Sequence, residues 1–336
     1  MRCYRAVFLI LLLFCLSVLC GCQSETPVTD EKSSVIGVSI NSQRSPFMIA
    51  LTQGIVKEAE ARNITVNLAE CNGDIQTQAD QITNFIVQGV DAILMQPLDA
   101  YALIAVTDKA EAAGIPVFCI DTTVNTDSVL YYIGSDSYEM GVQAAEYIAR
   151  QLYQKYGSYR GTVVDLMASL TSTSGTNRSR GFSERLAVYP DITIAARQNG
   201  GLQLDTAIDV MTDILHANSQ IDAIWCSGDT NAQGVIRALM RSGRLKAAQE
   251  DGHIIVVSAD GAAESLQAIR DGYVDACISQ NPIREGSKAI DVIDGYLKNG
   301  MQPEMKFEAY PLFVITADNL DSPSLAAYGI WSQEIR

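Results

Sequence analysis

The chain has 336 residues, with 24 Lys+Arg against 39 Asp+Glu and a formal net charge of −15 at pH 7. That balance argues against a nucleic-acid backbone as a partner. A hydrophobic content of 48% supports packed cores rather than disorder, and the length suits two domains of ordinary size.

The chain opens with Arg2 and Arg5, followed by an apolar run from Ala6 to Leu19. The run is short for a permanent membrane span, and its position fits a signal peptide over 1–21. It leads into Leu19-Cys20-Gly21-Cys22, which resembles a bacterial lipobox. The expectation is cleavage after Gly21, a diacylglycerol on Cys22 and a polar tether over 22–34. An ordinary secretory leader with an incidental cysteine is the alternative. Loss of Arg2 and Arg5 with the leader takes the formal charge from −15 to −17. The working part is expected outside the cytoplasm, on a cell surface or in a periplasm, held to the bilayer by lipid alone.

Short apolar runs and amphipathic runs then alternate. The spacing predicts strand 35–40, helix 46–62, strand 66–69, helix 76–87, strand 92–95, helix 100–113, strand 116–120 and strand 131–134. After a long helix over 138–156, the rhythm restarts with strand 162–166, helix 180–187, strand 192–196, helix 207–215 and strand 223–226. Helix 232–240, strand 254–257, helix 262–269, strand 276–279, helix 283–297 and strand 312–315 complete the series. Helices of this length suit crossovers between parallel strands, and strands without clean alternation suit a sheet covered on both faces. The fold class is therefore α/β, with two Rossmann-like lobes whose first boundary falls near Asp136. There is no Walker A pattern and no G-x-G-x-x-G after the first strand.

Ligands in such sheets sit at the carboxyl ends of strands. Those ends carry Asn41, Asp121, Gly228-Asp229, Asp260 and Gln280, with Phe47 placed to stack on a ring. Carboxylates and amides at a lobe interface suit vicinal hydroxyls. Each residue also has a plainer reading: Asp229 as a helix cap, Asp121 and Asp260 as turn formers, and Phe47 as core. One of Arg178 and Arg180 is expected to be a solvated charge. Cys71, Cys119, Cys226 and Cys277 remain after the leader and anchor, and they read as buried free thiols. With only His216 and His253 and no calcium-loop pattern, neither a metal nor a cofactor is expected.

The chain resembles the type I periplasmic-binding-protein-like family, in its ribose- and galactose-type branch of sugar ABC importers. The likeness runs from Val35 to about Ile315. It rests on Ile36-Gly37-Val38-Ser39, Ser45-Pro46-Phe47-Met48, Gln88-Gly89-Val90-Asp91-Ala92-Ile93 and Gly114-Ile115-Pro116-Val117. Further on it rests on Tyr132-Ile133-Gly134-Ser135-Asp136, Arg178-Ser179-Arg180-Gly181-Phe182 and Ile278-Ser279-Gln280. The resemblance implies two lobes joined by a three-strand hinge and closing on a ligand. It places 35–136 with 281–309 in the first lobe and 137–280 with 310–336 in the second. It also implies ligand roles for Asn41, Ser45, Phe47, Asp121, Arg178, Asp229, Asp260 and Gln280. Departures bear on ligand identity: ribose binders carry arginine where Thr122 stands, phenylalanine near Leu202, often asparagine at Gly228, and a second aromatic at Met48.

The resemblance implies a monomeric, non-enzymatic lipoprotein that hands a monosaccharide-like ligand to an ABC permease. An inositol, a nucleoside or a furanosyl signal are alternative ligands. The same trap reporting to a membrane kinase or chemoreceptor is the second reading. An extracytoplasmic enzyme is the third, and no nucleophile–base–orienter pattern supports it.

Overall fold

Each apolar run between polar turns becomes a strand, and each amphipathic run becomes a helix laid on the sheet. The computed structural model describes residues 33–303, 306–326 and 331–333, so the leader and Cys22 lie outside the described residues. The first part contains β1 (Val35–Ile40), α1 (Pro46–Ala61), β2 (Thr65–Glu70), α2 (Ile75–Gln88), β3 (Ala92–Met95), α3 (Ile104–Ala112), β4 (Val117–Ile120) and β5 (Val129–Ser135). The second contains α4 (Ser137–Tyr156), β6 (Arg160–Met167), α5 (Thr173–Leu186), β7 (Asp191–Asn199), α6 (Leu204–Ala217), β8 (Ala223–Cys226), α7 (Asp229–Arg241), β9 (Ile255–Asp260), α8 (Ala263–Arg270) and β10 (Ala276–Ser279). The chain ends with α9 (Pro282–Asn299), β11 (Phe307–Tyr310), β12 (Phe313–Thr316), α10 (Pro323–Ala326) and a 3-10 turn at Trp331–Gln333.

These strands form two six-stranded sheets, ordered β11-β5-β4-β3-β1-β2 and β12-β10-β9-β8-β6-β7. All pairings are parallel except that of β12 with β10. The chain passes between the sheets three times: after β5, after β10, and between β11 and β12. In each sheet the strand order reverses beside the first strand, β1 or β6, which opens a crevice at the carboxyl ends.

Both faces of both sheets are covered. Ile36, Val38 and Ile40 of β1 pack with Leu51 and Ile55 of α1 and Ile290 and Ile293 of α9. Ile93, Met95, Val117 and Cys119 pack on the other face with Ile82 and Phe85 of α2. In the second sheet, Val164, Leu166 and Ile224 meet α6 and α7, while Val163, Trp225 and Val257 meet α4 and α5. Cys71, Cys119, Cys226 and Cys277 are free and buried.

Two helix pairs approach so closely that only glycine fits. A Cβ on Gly181 of α5 would strike the Tyr138 carbonyl oxygen of α4, and one on Gly141 of α4 would strike the Arg178 carbonyl oxygen. This crossing fixes the α5 turn that carries Arg178. Gly54 of α1 and Gly286 of α9 make a similar crossing, in which a Cβ on Gly286 would lie 2.5 Å from the Leu51 carbonyl oxygen.

The structure differs from the sequence reading at two element ends and in one strand, β11, that was not expected. The helix expected over 100–113 begins at Ile104, because Asp99 Oδ1 accepts from the Tyr101 and Ala102 amides, each at 2.8 Å, and holds a turn there. The helix expected over 180–187 begins at Thr173, where the Ser172 hydroxyl caps the Gly175 amide at 3.1 Å. Strand β11 carries no apolar run, because it is a short edge strand with alternate residues exposed. Among the described residues no helix is long and apolar enough to cross a membrane.

Candidate functional site

The carboxyl ends of the two sheets face each other, and their polar residues form two linked clusters. In the first sheet, Gln96 follows β3 directly. Its amide nitrogen donates to Asp121 Oδ2 at 3.1 Å, and its Oε1 accepts from the Asn41 amide at 3.2 Å. Gln96 thereby ties the ends of β1, β3 and β4 together. Gln78 of α2 supports it from beneath, donating to the Gln96 carbonyl at 3.0 Å. Asp121 has a φ of 63°, a left-handed backbone that turns its side chain off the strand, and the Tyr132 hydroxyl donates to its carbonyl at 3.0 Å.

The second sheet repeats the device. Asp260 ends β9 with a φ of 85°. Its Oδ1 accepts from Arg178 Nη1 at 3.2 Å and from Gln280 Nε2 at 2.7 Å. Arg178 Nη1 also donates to the Ser227 carbonyl at 2.8 Å, while its Nε is buried without a partner among the described residues. Trp331 Nε1 donates to the Asp260 carbonyl at 2.8 Å. Arg180, two residues along α5, is exposed and sits 5.2 Å over the Tyr138 ring, so it is the solvated member of the pair.

The clusters sense one another electrostatically. Burial pushes the Asp121 carboxyl up, while the Arg178 charge and the Gln96 bond pull it down and the Asp260 charge pushes it up again. Burial, and then the Asp260 charge, hold the Asp229 carboxyl well above its ordinary range. Asp229 is not a cap: Gly228 holds that position, and Asp229 Oδ2 accepts from the Ala262 amide at 2.5 Å. It braces the loop after Asp260 from below.

The remaining expected residues stand on the first sheet. Asn41 lies partly exposed at the end of β1. Ser45 caps α1, its Oγ accepting from the Met48 amide at 3.3 Å. Phe47 follows on α1 and is mostly buried, packing with Met48 against the first-sheet core. Leu202, with a φ of 51°, lies against Gly228 beside the Asp260 carboxylate and presents a partly exposed apolar wall.

The crevice mouth is bridged. Thr122 Oγ1 and Thr173 Oγ1 lie 2.7 Å apart, and the Thr123 amide donates to Thr173 Oγ1 at 3.0 Å. The Ala100 amide donates to the Thr171 carbonyl at 3.1 Å. Thr122 therefore links the two lobes. Among the described residues no group of three or more His, Cys, Asp or Glu is placed to hold a metal.

With this geometry in view, the comparisons with known proteins decide the family. Residues 36–301 match the periplasmic binding protein domain. The chain belongs to that family. The ribose import binding protein of Bacillus subtilis (strain 168) is 28% identical over 300 residues, covering 87% of this chain and 93% of its own. A solved galactofuranose-binding protein is 26% identical with a TM-score of 0.78, covering 85% of this chain and 96% of its own. The fructose-binding periplasmic domain of a hybrid two-component system is 26% identical with a TM-score of 0.79, covering 88% of this chain and 94% of its own. These relatives of the periplasmic binding protein chain are solute binders by name rather than enzymes.

Sequence reasoning about this binding protein missed Gln96, Thr173 and Trp331. Gln96 carried a usable signal, since it follows the 92–95 run as Asp121 follows its own strand. The other two meet the site only through long-range packing.

Proposed function

We propose that this chain captures an uncharged monosaccharide or similar polyhydroxylated ligand between its lobes and presents the closed form to an ABC permease. The observation that carries this reading is the facing pair of strand-end aspartates, Asp121 with Gln96 on one sheet and Asp260 with Arg178 and Gln280 on the other. Carboxylates accept from sugar hydroxyls, the guanidinium and amides donate to them, and closure desolvates both. Asn41 and Ser45 supply further polar groups, Phe47 and Leu202 supply apolar walls, and Asp229 acts through the loop it braces. One arginine among several acids disfavours sugar acids and phosphates. The ribose, galactofuranose and fructose named for the relatives support the ligand class.

The test is a thermal-shift panel on the chain from Gln23, using ribose, arabinose, fructose, galactose, myo-inositol, adenosine, glutamate and ribose 5-phosphate. A neutral sugar at 100 times its Kd is expected to stabilise the protein by about 2.7 kcal/mol. A shift only with glutamate or the phosphate overturns the ligand class.

A sensory role is the second reading, favoured by the likeness to a two-component system's sugar-binding domain. Gene neighbours encoding a kinase rather than a permease and ATPase would decide for it. The membrane anchor is proposed to be lipid on Cys22, supported by Leu19-Cys20-Gly21-Cys22. Cells expressing Cys22→Ser are expected to lose the lipid mass on the mature chain and release it from the membrane fraction. Retention of both would remove the anchor from this account.

A further inference from the structure

Loops from both lobes bond directly across the mouth of the crevice. The first lobe supplies residues 98–100 and the turn after β4, and the second supplies the loop 169–173 that opens α5. Thr122 Oγ1 accepts from the Thr173 amide at 3.1 Å, and Thr173 Oγ1 accepts from the Thr123 amide at 3.0 Å. The two hydroxyls lie 2.7 Å apart, so one donates to the other and completes a reciprocal ring. A second rung runs from the Ala100 amide to the Thr171 carbonyl at 3.1 Å, and the Thr171 hydroxyl donates to the Leu98 carbonyl at 3.4 Å. Thr122 is 1% exposed and Ala100 3%, so both rungs are anchored out of water on the first-lobe side.

Each half of this junction is shaped inside its own lobe. The Asn125 amide donates to the Ala100 carbonyl at 2.8 Å, which ties the two first-lobe loops together, and Asp99 holds the Tyr101 and Ala102 amides beside them. The Thr122 amide donates to the Ile120 carbonyl at 2.7 Å, in the same left-handed turn that projects Asp121. In the second lobe, Ser169 Oγ accepts from the Thr171 and Ser172 amides at 3.2 and 3.1 Å, and Ser172 caps the Gly175 amide. Halves shaped in advance lose little freedom when they meet. Thr173 is the first residue of α5, where an amide finds no acceptor within its own helix, and the Thr122 hydroxyl supplies one. The helix that carries Arg178 is thus completed by the opposite lobe.

We propose that Thr122 and Thr173 form a latch that closes the crevice by itself, so that the closed form is populated before a solute arrives and the latch sets how fast the solute leaves. Every bond in it joins protein to protein, and none needs a ligand atom. The inference rests on the solute-binding reading above. Thr122 is a positioning residue, since its hydroxyl is taken by Thr173. Asp121 precedes it in the chain and Arg178 follows Thr173 on α5, so the latch aligns the two polar clusters that face the ligand. A solute held between them leaves only after the latch parts. Loss of the ring removes one or two net hydrogen bonds from the closed form, which raises Kd about tenfold, mostly through faster release.

The test is amide hydrogen exchange, read by NMR on the leaderless full chain with and without ribose, fructose, arabinose or galactose. The Ala100, Thr123 and Thr173 amides have their acceptors across the mouth, so their exchange reads the latch directly. In the chain without sugar, all three are expected to exchange about tenfold or more slowly than free amides, the mark of a form closed about nine-tenths of the time. Thr122→Val is expected to release all three, including Ala100, whose own acceptor it leaves in place, while the core amides of β3 and β9 exchange as in the parent. Thr122→Ser keeps the hydroxyl and is expected to restore the protection. Stopped-flow release of a bound sugar is expected to be about tenfold faster from the valine variant. Should that variant fail to fold, Thr173→Val is read in the same way. Free exchange of the three amides in the parent without sugar, or an Ala100 amide as protected in the valine variant as in the parent, would overturn the latch. Protected amides with none of the four sugars binding would sustain the latch and remove those sugars from the ligand reading. Sugar binding with freely exchanging amides in the sugar-free chain would do the reverse.

Discussion

Asp260→Ala is expected to lower affinity for the sugar ligand by two to three orders of magnitude and to destabilise the free protein as well. The carboxylate accepts from both Arg178 and Gln280, and its removal leaves a buried guanidinium with the Ser227 carbonyl as its remaining partner. Breaking a buried, hydrogen-bonded ion pair on one side costs about 3–5 kcal/mol, chiefly through the charge left behind. Gln280 also loses its anchor at the hinge. Calorimetry with the sugar found in the panel measures the first effect, and thermal unfolding without sugar measures the second. Asp260→Asn separates them, since it keeps the shape but not the charge. A Kd for the alanine variant within threefold of the parent would show that the second-lobe cluster does not hold the ligand.

Trp331→Ala is expected to be the most destabilising single change in the chain's last segment. The ring is fully buried against Ala50 of α1, Ala262 and Ile283, so it packs on parts of both lobes. Its Nε1 holds the Asp260 carbonyl at 2.8 Å, beside Gly261, whose φ is 97°. Removing a buried tryptophan costs about 3–5 kcal/mol. For lobes of this size, that is a fall in Tm of on the order of 10 °C. Trp331→Phe keeps most of the packing and loses only the donor, for about 1 kcal/mol. If the ring also steadies the strained Asp260-Gly261 turn, the phenylalanine variant binds sugar more weakly while melting nearly as the parent does. A Tm for the alanine variant within 2 °C of the parent's would contradict the packing role.

The division between local and long-range information is visible residue by residue. Strands such as β3 and β8 were legible because four consecutive apolar residues between polar turns suit burial on both faces of a parallel sheet. Asp121 and Asp260 were legible as site candidates because each follows such a run. That both adopt left-handed backbone was not legible, since nothing local distinguishes them from ordinary turn formers. The Arg-x-x-Gly-Phe pattern pointed to Arg178, and the structure adds the reason for its glycine: α4 leaves no space for a Cβ at Gly181.

Local sequence was enough for the alternation of elements, the two-lobe α/β class, the polar residues at strand ends, and the expectation of an exported, lipid-bearing chain. Those are properties of periodicity, composition and motif, each contained within about twenty neighbouring residues. Long-range packing sends β11 to the first sheet and β12 to the second. It also sets Thr122 against Thr173 and brings Trp331 back to hold Asp260. Each of these depends on partners dozens to hundreds of residues away, brought together only when both sheets bury their faces and the chain passes three times between them.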